Sequence, residues 1–314
     1  MTYKNIIPGL VSIETDRSSF WGFSFSENFN FYSSSDKQKI HFKISVGDVK
    51  IPTKYEFRNG FYFKQGDSWY YERKIFNLIP LRFKFNPIER SFVVSSWYLK
   101  VPFTIGRILP FGKHAEDVIS LELFLNGYVV LQGSAISYND KNICIIGPSF
   151  NGKTFALKKI IEGQKGKIIS DDIMIVDFVN NLVYPMPHKF KALGVREIQK
   201  KISKIVTKED VVTEPVKISR LFFIQNSTSE NKNNVKTRNF FEFISLCSFF
   251  FLDNRFIASY IFEEKLLDRI ISKINALKTM EIKNCDFINI HNFDYEFLNL
   301  LAYDETTKPE RAVE

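Results

Sequence analysis

The chain has 314 residues, of which 45% are hydrophobic, and it carries a formal net charge of +8 with an isoelectric point near 9.1. This apolar content is enough for one large or two modest folded domains, and it excludes an intrinsically disordered chain. Lys and Arg are scattered among acidic residues and form no stripe with interleaved aromatic side chains, so nucleic acid is not an expected partner.

Targeting and redox features predict a cytoplasmic protein. No apolar run is long enough to span a bilayer, and the first residues lack the apolar core and cleavage site of a signal peptide. The three cysteines, Cys144, Cys247 and Cys285, are odd in number and widely spaced, which fits neither a disulfide framework nor a zinc site. We therefore expect reduced thiols, a cytoplasmic location and no membrane partner.

Residues 20–94 show hydrophobic alternation with a period of two, which predicts β-strands. The stretch Ile40-His-Phe-Lys-Ile-Ser-Val46 alternates throughout, and aromatic runs such as Leu81-Arg-Phe-Lys-Phe85 follow between turn residues. The pattern predicts an antiparallel meander with a turn at Gln65-Gly-Asp-Ser68. The aromatic density fits a peptide-binding face or ordinary packing, and β propensity alone favours packing.

A connection that contains Pro and Gly, residues 101–112, leads into an amphipathic helix that extends to Leu125. We predict a domain boundary here, with a β-rich N-terminal domain at 1–110 that handles the substrate, a nucleotide-binding domain at 111–305 and a flexible tail at 306–314. Beyond the helix, a hairpin forms around Asn139-Asp140. Further elements are predicted as strands at 221–225 and 287–290 and helices at 155–161, 240–252, 257–277 and 295–302.

The strongest motif follows the buried apolar strand Ile143-Cys-Ile-Ile146. Residues 147–154 fit the pattern GxxxxGK[ST], and the two glycines allow backbone N–H groups to surround an anion at the N-terminus of a helix. We therefore predict that nucleotide phosphates are bound by Gly147, Pro148, Ser149, Phe150, Asn151, Gly152, Lys153 and Thr154. Lys153 would reach the β- and γ-phosphates of ATP or GTP as a point charge, and the Thr154 hydroxyl would ligate Mg²⁺.

A pair of acidic residues follows at the end of the next predicted strand, residues 167–172. A carboxylate beside a phosphate loop can hold Mg²⁺, and a second one can take the proton from an attacking hydroxyl. Asp171 and Asp172 together provide both groups. A solvated Asp-Asp turn is the structural alternative, and the upstream Lys153 favours the functional interpretation.

Several of these segments together resemble the HPr kinase/phosphorylase family, of which the chain looks like a divergent member. They are Gln132-Gly-Ser-Ala-Ile136, the strand before the loop, the phosphate loop and Ser170-Asp-Asp-Ile173. The resemblance covers residues 128–195 and implies an α/β fold, shared with phosphoenolpyruvate carboxykinase, with a P-loop in a largely β core. The N-terminal half is not part of it.

The resemblance also assigns roles by position. Lys153 and Asp171 would be catalytic, with Asp171 as the base toward the acceptor hydroxyl, while Thr154 and Asp172 would bind the metal; the two aspartate roles could be exchanged. Gln132 departs from the family, which has His there. A second departure is the segment that begins at His188, which has Lys189 where the family has Glu and Lys191 where it has Arg.

The sequence therefore predicts an HPr-kinase-like serine kinase that uses ATP and Mg²⁺ to phosphorylate a hydroxyl, with Ser of a peptide or protein as the expected acceptor. Two alternatives stay open. One is a non-catalytic nucleotide-binding module that regulates a partner, which Lys189 favours because a cation would repel a second Mg²⁺. The other is a kinase of a small-molecule hydroxyl. The HPr kinases that the chain resembles are oligomeric, so a homo-oligomer is a further expectation.

Overall fold

A computed structural model describes residues 2–17, 38–100, 110–147, 153, 166–171, 173–186, 210–225, 255–278 and 285–289. Over these ranges the protein is a mixed α/β structure with two eight-stranded sheets, and its N-terminal region is rich in strands. The predicted α/β class is confirmed at this level. Among the helices in these ranges, none combines the length and the apolar character that crossing a bilayer requires.

The N-terminal sheet is largely an antiparallel meander. Its strands are Thr2–Ile7 (β1), Val11–Thr15 (β2), Ile40–Val46 (β3), Phe57–Asn59 (β4), Tyr62–Gln65 (β5), Ser68–Ile75 (β6), Ile79–Asn86 (β7) and Ser91–Val94 (β8). Their spatial order is β1-β2-β3-β8-β7-β6-β5-β4. Each strand from β4 to β8 pairs antiparallel with the next, and Gln65 pairs with Ser68 across the predicted turn.

The meander prediction is wrong for β3, which pairs parallel with both β2 and β8. Its side chains alternate between the buried core and the other face, as the sequence predicts. Alternation identifies the buried face of a strand but carries no information about the direction of its neighbours. Parallel neighbours need a crossover, and between β3 and β8 the four strands β4 to β7 provide it.

Aromatic side chains pack on the buried face of this sheet. Phe83 stacks on Tyr71 with ring centroids 5.3 Å apart. Trp69 is fully buried and donates its indole N–H to Glu264, with Nε1 and Oε1 3.0 Å apart. Packing therefore accounts for these three aromatic residues, as β propensity indicates.

The described helices are Ser96–Lys100 (α1), Phe111–Leu125 (α2), Arg255–Glu263 (α3) and Leu267–Lys278 (α4). The helix predicted up to Leu125 is confirmed as α2. Its predicted amphipathic character is not, because all of its 15 residues except Lys113 and Glu122 are buried. The single helix predicted over 257–277 is wrong, because the chain turns between α3 and α4. Lys265 takes a left-handed φ of 52°, its N–H donates to the Phe262 carbonyl, and the Leu266 N–H donates to the Ile261 carbonyl. These two bonds form a Schellman cap, which ends α3 without a glycine.

The second sheet contains the predicted hairpin. Its strands are Val129–Tyr138 (β9), Lys141–Ile146 (β10), Lys167–Ser170 (β11), Ile173–Asp177 (β12), Leu182–Tyr184 (β13), Val216–Lys217 (β14), Arg220–Gln225 (β15) and Cys285–Asn289 (β16). The order is β14-β13-β12-β9-β10-β15-β16, and β11 pairs with β9. Strands β9 and β10 are antiparallel around Asn139 and Asp140, whose φ angles of 45° and 58° fit a type I′ turn.

Strands β15 and β16 confirm the strands predicted at 221–225 and 287–290, with ends shifted by one or two residues. The helices predicted at 155–161, 240–252 and 295–302 and the tail at 306–314 lie outside the described residues.

One hydrophobic cluster joins the two sheets. It contains Phe83 from β7, Phe111 from α2, Ile175 from β12 and Phe256 from α3. A second cluster, which includes Cys144, packs on the opposite face of the second sheet. Residues on both sides of the predicted boundary at 110 and 111 thus share one core, and the division into domains stays a prediction.

His114 on α2 is fully buried in the first of these clusters. Its ring centroid lies 5.1 Å from that of Phe83. Burial, and secondarily the charge of Lys113, lowers the pKa of His114 from 6.5 to about 3. The folded protein therefore holds a neutral imidazole over the whole physiological pH range.

We predict that His114 makes the protein less stable as the pH falls from 6.5 toward 3, because the unfolded chain binds a proton that the folded chain excludes. This group contributes a slope of up to about 1.4 kcal/mol per pH unit in that window and none above it. Urea unfolding of the wild type and of His114→Leu at pH 7 and pH 5 measures the effect. The difference in unfolding free energy should change by about 2 kcal/mol between the two pH values. An identical pH dependence of both proteins would contradict the assignment.

Candidate functional site

The predicted phosphate loop begins at Gly147, directly after the carboxyl end of β10. All four residues of the run that precedes it, from Ile143 to Ile146, are buried. Strand β10 pairs parallel with β15, with Ile146 opposite Phe223, and β15 pairs parallel with β16. The carboxyl ends of the three strands therefore lie at one edge, which is where open α/β sheets bind ligands.

The lysine of the motif folds back onto the first residue of the loop. Lys153 is 6% exposed, and its Nζ donates to the carbonyl of Gly147 over 2.9 Å. The structure therefore brings the two ends of the predicted loop together. The residues between them, 148–152, and Thr154 lie outside the described ranges.

Asp171 lies on the side of β9 that faces away from β10. It lies between β11 and β12, which both pair antiparallel with β9. Its backbone N–H donates to the Met186 carbonyl, and its own carbonyl accepts from the Ile173 N–H over 2.8 Å. The side chain is fully buried and accepts a hydrogen bond from Ser134, with Oγ and Oδ1 2.9 Å apart.

Three consecutive residues of β9 connect the loop with Asp171. The Gln132 carbonyl accepts the N–H of Gly147 at 3.3 Å, and the Ser134 hydroxyl binds Asp171. Gly133 lies between them, and a Cβ at this position would be 2.8 Å from the Ile145 carbonyl oxygen and 3.2 Å from Cε of Met174. Strand β9 therefore brings the two predicted motifs together through a segment that excludes a larger side chain.

The predicted metal ligands are a hydroxyl, Thr154, and a carboxylate, Asp172, and both lie outside the described residues. Oxygen donors of these kinds are the ones that Mg²⁺ prefers. Within the part of the chain that is described, no group of three His, Cys, Asp or Glu side chains could hold a metal ion. Metal binding at this site therefore stays a prediction from the sequence.

Of the two positions at which the sequence departs from the HPr kinase pattern, the structure describes only the first, Gln132. Gln132 is described, and its backbone carbonyl binds the start of the loop, a contact that any residue type can make. His188, Lys189 and Lys191 fall in the range 187–209, which is not described.

Sequence reasoning missed Ser134, which contacts the predicted base directly. Gly133 is the signal that could have indicated it, since a glycine inside a strand often marks the close approach of another backbone. A small polar residue next to that glycine is a candidate for contact with a buried group.

We predict that Gly133→Ala destabilises the protein by about 1–3 kcal/mol, because the added methyl group meets a backbone carbonyl that cannot rotate away. Ser137→Ala, on the same strand, is the matched control and should change stability by less than about 0.5 kcal/mol. Urea unfolding followed by circular dichroism measures both. Equal stability of Gly133→Ala and the wild type would show that β9 and β10 can separate without cost.

Comparison with known proteins gives similarity to solved structures but none to a family model or a curated sequence. No protein family model matches the chain, and no curated protein matches it in sequence. Among solved structures, the chain is similar to the HPr(Ser) kinase/phosphatase from Coxiella burnetii, at 10% sequence identity and a TM-score of 0.22, over 33% of this chain and 71% of that chain. A similarity of this size carries no argument about activity, so the roles of the site residues depend on their own chemistry.

Proposed function

We propose that the protein is a Mg²⁺-dependent kinase that transfers the γ-phosphoryl group of ATP to a hydroxyl, with a serine of a peptide or protein as the acceptor. One observation carries the proposal: Gly147, which binds the Lys153 amine, and the buried Asp171 carboxylate contact β9 at residues two apart. Gly147 contacts Gln132, Lys153 contacts Gly147, and Asp171 contacts Ser134. A cation for phosphate and a carboxylate for a proton, both held against the same stretch of β9, are the pair that phosphoryl transfer requires.

In this proposal each side chain acts on a different charge. The ammonium of Lys153 and the backbone N–H groups of the loop bind the β- and γ-phosphate oxygens. Thr154 and Asp172 would hold Mg²⁺, which would supply further positive charge against the phosphates. The acceptor oxygen forms a bond to the γ-phosphorus while the bond to the bridging oxygen of ADP breaks. The acceptor's proton passes to the carboxylate of Asp171.

Serine in a peptide or protein as the acceptor rests on the family resemblance and not on a contact in the structure. The strand-rich N-terminal region is the part of the chain that would handle such a substrate. A mass shift on a serine peptide, rather than on a metabolite, would support this choice over a small-molecule hydroxyl.

A second candidate function is a nucleotide-binding module without turnover. The full burial of Asp171 favours it, because a general base must come within hydrogen-bond distance of the acceptor. The two candidates differ in one result. A module binds ATP but phosphorylates no acceptor, whereas a kinase binds ATP and phosphorylates its acceptor.

The substitution Asp171→Asn tests the proposed chemistry, since it keeps the shape of the side chain and removes its basic oxygen. We expect unchanged binding of MgATP and a loss of transfer of at least about 100-fold, the range for a missing general base. Binding is measured by calorimetry, and transfer by mass spectrometry on a library of serine peptides. Asp172→Asn is the companion variant and should weaken the Mg²⁺ dependence of ATP binding instead. If the two variants exchange these effects, the aspartate roles are reversed, and full transfer by both would refute the mechanism.

A further inference from the structure

We propose that Ser134 is a positioning residue for phosphoryl transfer, whose hydroxyl sets the direction of the Asp171 carboxylate. This inference rests on the proposed function and adds a residue to it. Ser134 lies outside the phosphate loop and the acidic pair, on the strand between them. Its contact with Asp171 is a direct hydrogen bond of 2.9 Å between two fully buried side chains.

The direction of this hydrogen bond follows from its chemistry. An ionised carboxylate only accepts hydrogen bonds, so the serine hydroxyl is the donor. The bond points the serine proton at Oδ1 of Asp171 and so restricts the rotation of the carboxylate. A carboxylate with one fixed oxygen has a defined orientation, which is what a general base needs.

Both partners of the bond are held by their backbones. Ser134 pairs with Ile145 of β10, so its position is tied to the strand that leads into the phosphate loop. Asp171 is held by backbone bonds to Met186 and Ile173. The hydroxyl therefore links the direction of the carboxylate to the position of the loop, and small errors in such an arrangement cost large factors in rate.

A structural role for Ser134 is the competing explanation, because a hydrogen bond also offsets the cost of burying Asp171. The two explanations differ in what they affect. A structural role lowers stability and impairs nucleotide binding along with turnover. A positioning role lowers kcat while the KM for ATP and the fold are kept.

The experiment uses the full chain, MgATP as the probe and water as the acceptor, with ADP formation as the readout. Ser134→Ala should lower kcat by about 10- to 100-fold and leave the KM for ATP within about twofold. Ser134→Thr keeps the hydroxyl and should retain kcat within about threefold of the wild type. Ser134→Cys, similar in size but a weak donor, should behave like Ser134→Ala. Ser137→Ala is the control on the same strand and should match the wild type.

A double-mutant cycle with Asp171→Asn completes the test. If Ser134 acts through Asp171, then Ser134→Ala adds no further loss once Asp171 is Asn. Additive losses in the cycle would overturn the inference, and so would an unchanged kcat in Ser134→Ala. In either case, turnover that still depends on Asp171 would leave the proposed function standing. A wild-type protein that neither binds nor hydrolyses ATP would refute the proposed function itself and this inference with it.

Discussion

The close pairing of β9 along both of its edges is the constraint on which the candidate site depends. On one edge the strand pairs with β10, and on the other with β11 and β12. Gly133 permits this arrangement, because any side chain there would collide with the carbonyl of Ile145. Gly147, where the predicted phosphate loop begins, and Asp171 are separate in the chain and therefore reach the same stretch of one strand.

The polar groups of the site are buried, and their hydrogen bonds make that burial tolerable. The amine of Lys153 donates to a backbone carbonyl, and the carboxylate of Asp171 accepts from a serine hydroxyl. Buried charges without such partners would cost several kcal/mol each. The same bonds fix the ends of both side chains, so that in the proposed kinase these groups would need little rearrangement when charge develops on a phosphate. Preorganisation of this kind is the largest contribution to many enzymatic rate enhancements.

Local patterns in the sequence predict the parts of the structure that local chemistry determines. The Asn139-Asp140 turn, the hairpin around it and helix α2 are confirmed. No periodicity encodes the contacts between segments that are distant in sequence. These contacts are the parallel pairing of β3, the placement of β10 beside β15 and the contact between Ser134 and Asp171. The break between α3 and α4 was missed for a different reason, since a lysine occupies the left-handed position where a glycine would have been a stop signal. Predictions for residues 148–152, Thr154 and Asp172 rest on the motif alone.

The measurement that tests the account most directly is calorimetric titration of MgATP into the wild type and into Lys153→Met. Methionine preserves most of the buried aliphatic part of the side chain and removes the ammonium group, with its charge and its hydrogen bond to Gly147. We predict that the wild type binds, that Lys153→Met binds at least about tenfold more weakly, and that Lys167→Met, which removes an exposed lysine on β11, binds like the wild type. Absence of ATP and GTP binding in a folded wild type, or equal binding by all three proteins, would contradict a phosphate site at the end of β10.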